Sequence, residues 1–154
     1  MAARALTDAV DDLALLAGLF SVAFIAATVL PAQSEAALVG LLAAGTHSTA
    51  VLVAVATVGN VLGSVVNWLI GRSVERFRHR RWFPTSERGL DRASRWYGRW
   101  GRWSLLLSWA PIGGDALTVA AGVLREPLWS FLLLVTLAKA GRYLILAALT
   151  LGLL

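Results

Sequence analysis

The chain alternates between long apolar stretches and short polar interruptions. Four apolar regions stand out, at residues 13–45, 50–70, 104–124 and 128–154. A membrane-crossing helix needs roughly 20 apolar residues. The second region meets that length without a break, and Trp68 and Arg72 mark its polar end. The fourth is longer and can cross with tilt. The first is too short for two crossings and too long for one. It carries Pro31 and Glu35 in its middle, and the third carries Pro111, Gly113, Gly114 and Asp115 at its centre. Irregular backbone at membrane depth persists only where it is buried in protein or lines a wet cavity. Each interrupted region is therefore expected to form a re-entrant helical hairpin. Pro31 and Pro111 are the expected breaks, with Gly113 and Gly114 supplying backbone freedom at the second turn.

The two halves of the chain share this plan. Pro31-x-x-x-Glu35 and Pro111-x-x-x-Asp115 have the same spacing, and each broken region precedes an unbroken one. Asn60 and Lys139 then fall at matching places in the unbroken spans. The expected architecture is all-α and integral to a membrane: an inverted repeat of hairpin plus transmembrane helix. Repeat one covers about 13–72 and repeat two about 103–152, within a single membrane domain of residues 1–154. Broken helices in opposed repeats are where secondary transporters bind their substrates.

Composition agrees with a bilayer as solvent. Hydrophobic residues make up 58% of the chain and charged residues 15%, against about 25% charged in an ordinary soluble domain. Cysteine is absent, so no disulfide, thiolate metal site or cysteine nucleophile can form. His47 and His79 are too few and too far apart for a histidine metal site. No metal or cofactor is expected. The N-terminal residues Arg4, Asp8, Asp11 and Asp12 are weakly acidic, which does not match a cleavable signal peptide.

The net charge of +5 is unevenly placed. Ten arginines lie between Arg72 and Arg102, opposed only by Glu75, Glu87 and Asp91. The positive-inside rule places this linker, residues 72–102, in the cytoplasm. Trp96, Trp100 and Trp103 share one helical stripe, and Arg88, Arg92, Arg95, Arg99 and Arg102 a neighbouring one. This predicts an interfacial helix over about 86–102, with indoles at headgroup depth and guanidiniums on phosphates. Gly98 and Gly101 weaken its last turn. The expected partners are membrane lipids, with anionic headgroups at the arginine-rich linker. Nucleic acid is not an expected partner, and self-association into a homo-oligomer stays open.

Ionisable residues inside a membrane are functional candidates by default. Here they are Glu35, Asp115, Lys139 and Arg142. Two acids and two bases suggest pairing, and Lys139 and Arg142 share one face of the last helix. Such pairs could bind a substrate or ion, or only clamp the two halves together. Asn60 and Asn67 lie on one face of the second span with Gly59 and Gly63 beside them, which suits close helix packing. Asn60 is also retained as a candidate for substrate or ion binding. No paired histidines, acid cluster or Ser/His/Asp set supports an enzyme.

At these residues the sequence resembles the DedA superfamily, also called the VTT or SNARE-associated membrane protein family, and within it the short bacterial YqaA-type branch. The resemblance rests on Leu30-Pro31-x-x-Ser34-Glu35 and on Gly59-Asn60-x-x-Gly63-x-x-x-Asn67-x-x-x-Gly71-Arg72. It continues through Tyr97-Gly98, Leu107-Ser108-Trp109-x-Pro111-x-x-Gly114-Asp115, Ala121-Gly122 and Lys139-Ala140-x-Arg142-Tyr143. It implies facing re-entrant hairpins in a bacterial inner-membrane protein. It further implies lipid movement between leaflets, by scrambling or by proton-coupled transport of phospholipid or polyprenyl phosphate. The chain departs from the larger family pattern in having Ser64 where an acid is frequent, and Gly114-Asp115 where an arginine follows the second proline. The alternative function is a non-transporting structural or assembly factor of the membrane.

Overall fold

The computed structural model describes residues 2–27, 32–45, 47–73, 87–110 and 113–153. The described residues are helical, and no strand occurs among them. In chain order they form α1 (Ala2–Ala26), α2 (Ala32–Ala44), α3 (Thr49–Arg72), α4 (Glu87–Trp100), a 3-10 segment (Gly101–Trp109), α5 (Gly114–Val123) and α6 (Leu128–Leu153). Three stretches are long and apolar enough to cross a membrane: Leu6–Ala26, Thr49–Arg72 and Leu128–Gly152. Gln33–Ala44 and Gly114–Val123 are apolar but shorter. Pro31, Pro111 and residues 74–86 of the basic linker lie outside the described residues.

The helix ends follow from local chemistry. Ser48 caps α3, its hydroxyl accepting from the Val51 amide at 3.4 Å. Gly45, just past α2, is left-handed at φ +65°. Eighty positions later Arg125, just past α5, is also left-handed at φ +58°. There the Glu126 amide reaches the Ala121 carbonyl at 2.9 Å and the Arg125 amide reaches Gly122 at 3.0 Å. This is the paired bonding of a Schellman cap, which usually recruits glycine.

α3 is the central post, packed against α1, α2, α5 and α6. Its glycines set the contacts. A Cβ on Gly59 would stand 2.6 Å from the Phe20 carbonyl oxygen, and one on Gly63 would strike the Phe24 carbonyl. α1 therefore lies directly on α3, running the same way. Further along, Gly71 faces the Val119 carbonyl of α5 while Gly122 faces the Trp68 carbonyl of α3. Two apolar clusters result. One joins Leu19, Leu38, Leu52 and Ala147 of α1, α2, α3 and α6. The other joins Trp68, Tyr97, Leu105 and Phe131.

Two elements differ in extent from the sequence reading. The first helix reaches back to Ala2 rather than beginning near residue 13. Asp12 lies 3.4 Å from His47 in the α2–α3 turn. Residues 2–11 thus project beyond that turn, by about 15 Å at 1.5 Å per residue. The interfacial helix stops at Trp100, because Gly101 turns left-handed at φ +59° and the chain tightens into the 3-10 segment. Trp96, Trp100 and Trp103 are all exposed. α4 lies alongside α5 in the same direction, with Ala93 against Leu117 and Ala120.

Candidate functional site

The centre of α6 gathers the ionisable residues of the apolar regions. Lys139 and Arg142 sit one turn apart near the middle of the Leu128–Gly152 span. Lys139 Nζ lies 3.5 Å from Asp115 Oδ1, in the first turn of α5. Arg142 pairs with Glu35, in the first turn of α2. Arg142 Nη1 also donates to the Trp109 carbonyl at 2.8 Å, at the end of the 3-10 segment. The starts of both short helices are thus tied to successive turns of one long helix. They arrive from opposite ends. α2 runs from Glu35 toward the α2–α3 turn, and α5 runs from Asp115 toward the start of α6.

The charges balance, two acids against two bases. The bases are the more deeply buried members, with the Lys139 side chain only 5% exposed. An unpaired charge there would be expensive. Glu35 and Asp115 keep more access than their partners, at 31% and 22% of the side chain. The acids therefore form the open side of each pair.

Asn60 joins this cluster through Tyr143. Its amide donates to the Tyr143 hydroxyl at 2.9 Å, and Tyr143 donates to Ser34 at 3.0 Å. Ser34 is the neighbour of Glu35, and Tyr143 the neighbour of Arg142. Asn67 takes another role, its amide holding the last carbonyl of the α1 region, Ala27, at 2.7 Å. Gly114 packs on the Ser108 carbonyl, and Gly113 precedes α5 at φ +91°. Among the described residues, Asn60 Oδ1, Asn67 Oδ1, Thr57 Oγ and Ser108 Oγ are buried without a hydrogen-bond partner. A buried polar atom left so costs roughly 1–3 kcal/mol.

A second polar cluster was not anticipated from the sequence. Glu126, in the α5–α6 turn, is 8% exposed. It accepts from Tyr97 of α4 and from Ser130 of α6, and Arg102 stands 3.7 Å away. Its carbonyl accepts from Trp68 Nε1 at 3.1 Å, and the same indole lies under Arg72 at 4.7 Å. Burial pushes the Tyr97 phenol up, and the neighbouring Glu126 carboxylate pushes it further, so Tyr97 stays a donor. In the sequence, Arg125-Glu126-Pro127 reads as a solvated turn, and only the aromatic-rich face of α4 hints at a buried acceptor.

A family model described as the VTT domain matches residues 15–151. The "Inner membrane protein YqaA" of Escherichia coli strain K12 is 39% identical over 132 residues, covering 86% of this chain and 88% of that protein. The protein of the same name from Shigella flexneri matches to the same extent. An uncharacterized protein of Haemophilus influenzae is 36% identical over 135 residues, 83% of this chain and 82% of its own length. No solved structure matches the chain.

Proposed function

Since this chain belongs to the VTT domain family, in the YqaA-like branch of the DedA superfamily, we propose that it moves a phosphate-bearing lipid between the leaflets of the bacterial inner membrane. The observation that carries this reading is the double pairing of Glu35 with Arg142 and Asp115 with Lys139. Both acids sit where a short apolar helix begins, and both bases sit at the centre of a spanning helix. A headgroup dragged through hydrocarbon needs such a polar stepping stone. Arg142 offers a planar fork matched to phosphate.

The lengths of the short helices support a re-entrant reading. At 1.5 Å per residue, α2 is about 20 Å long and α5 about 15 Å, less than the roughly 30 Å hydrocarbon core. The opposed approach of α2 and α5 to α6 supports an inverted repeat, and the arginine excess of residues 72–102 supports a cytoplasmic linker. With both pairs closed, the site carries no net charge. An anionic phosphate gains Arg142 or Lys139 only when its acid partner yields or takes up a proton. Facilitated scrambling uses the first route, and proton-coupled transport the second.

The pairs also suit a second reading, in which they hold the halves together and nothing is moved. Reconstitution into liposomes with a panel of labelled phospholipids and polyprenyl phosphate separates the two. Transport is expected to move at least one phosphate lipid faster than empty liposomes do. Exchanging the charges, by Glu35→Arg with Arg142→Glu, should preserve folding and abolish movement. A folded, reconstituted wild-type chain that moves none of them overturns the transport reading.

A further inference from the structure

Away from the central cluster, α4, the end of the 3-10 segment and the start of α5 line a cleft of about 450 Å³. That lies within the range of small-molecule pockets, roughly 300–1,000 Å³. Arg92 and Trp96 line one wall from α4, and Leu107, Gly113 and Leu117 line the other. Among the described residues of the lining, Arg92 is the only charged one. Its guanidinium has no ion-pair partner among the described residues. Trp96 beside it is 49% exposed. The helix that presents them carries Arg88, Arg92, Arg95 and Arg99 against Glu87 and Asp91.

This combination selects an amphiphile. A soluble anion would meet Arg92 and leave the apolar slot unfilled. A neutral lipid would fill the slot and leave Arg92 unmatched. A lipid with an anionic phosphate and an acyl chain satisfies both, and an indole at the mouth sits at the polar–apolar boundary where indoles are favoured. We infer that this cleft binds one anionic phospholipid, its phosphate on Arg92 and one acyl chain between Trp96, Leu107 and Leu117. The site is distinct from diffuse attraction of headgroups to a basic helix. It also stands apart from the transport reading, since it uses none of Glu35, Asp115, Lys139 or Arg142.

Native mass spectrometry of the full chain in detergent, titrated with phosphatidylglycerol or phosphatidylcholine, tests the site. One phosphatidylglycerol per copy is expected to be retained, about tenfold more tightly than phosphatidylcholine. Arg92→Gln should erase that preference, and Arg92→Lys should restore part of it. Arg99→Gln removes the same charge from the same helix outside the cleft and should change binding by less than about twofold. Leu107→Trp, at an exposed lining position, should obstruct the slot and weaken both lipids. Equal losses in Arg92→Gln and Arg99→Gln would reduce the site to diffuse attraction and overturn it. So would competition by glycerol phosphate as strong as that by the lipid, or unchanged binding in a folded Leu107→Trp variant. The readout is retained lipid, so the result stands whether or not the chain moves lipid.

Discussion

Tyr143 of α6 receives the Asn60 amide of α3 across 2.9 Å, though 83 positions separate them. The same hydroxyl donates a hydrogen bond to Ser34 of α2 at 3.0 Å. Three helices thus meet on one phenolic oxygen, which is buried with its ring in apolar surroundings. Tyr143→Phe keeps the ring and removes the junction. Asn60 then keeps no side-chain partner among the described residues, and a stability loss of about 1–3 kcal/mol is expected. Denaturant unfolding in detergent measures it. Asn60→Leu combined with Tyr143→Phe should cost less than the sum of the single changes, because the two residues share one bond.

Arg142→Lys tests the fork rather than the charge. Lysine preserves the sign opposite Glu35 but cannot also hold the Trp109 carbonyl in the same geometry. Lipid movement in liposomes should fall by about tenfold while the protein stays monodisperse. Movement at the wild-type rate in a folded Arg142→Lys protein would remove Arg142 from the headgroup path.

Glycine substitutions separate packing from propensity. Gly63→Ala places a methyl against the Phe24 carbonyl and Ala27, so α1 must move off α3. Gly18 and Gly40, also helical, have open space around a would-be Cβ. Alanine there should be neutral or stabilise by up to about 1 kcal/mol, whereas Gly63→Ala should destabilise by about 1–3 kcal/mol. Thermal unfolding of the three variants gives the order directly. Equal melting of all three would mean that α1 does not rest on Gly63.

Glu126→Ala should free α4. Tyr97 and Ser130 lose their acceptor together, and Arg102 loses its nearest acid. Hydrogen exchange over residues 87–100 should speed up, with α3 and α6 unchanged. Glu126→Gln keeps an acceptor and should fall between the two. Uniform protection in Glu126→Ala would show that α4 is held by its Ala93 contact with α5 instead.

The sequence was informative where a residue violated its surroundings. Glu35, Asp115, Lys139 and Arg142 stand out because each is a charge in a long apolar run. Their signs suggested pairing. Which acid meets which base depends on helix rotation, and no spacing within one segment reports it. The glycines of α3 were legible as packing residues, but not that Gly59 and Gly63 serve α1 while Gly71 serves α5. Glu126 was missed for the converse reason. It lies between Arg125 and Pro127, where a charge looks ordinary, and its burial comes from Tyr97 and Trp68, distant in the chain. The 3-10 segment was equally hidden, since Ser104 to Trp109 has the composition of any apolar helix.

Lys139, Arg142 and Tyr143 fall within five successive positions of α6, little more than one turn. The Glu35 and Asp115 ion pairs and the Tyr143–Ser34 bond, which tie α2 and α5 to that helix, all end on this turn. Turning α6 by a single residue's worth of angle, about 100°, would carry all three side chains away from their partners at once. Breaking either pair leaves a largely buried base without its acid, which is costly unless another anion takes its place. The starts of α2 and α5 are anchored on the same stretch of α6. Any opening of the site is therefore expected to involve α6 as a whole, because one turn of it anchors the starts of both short helices.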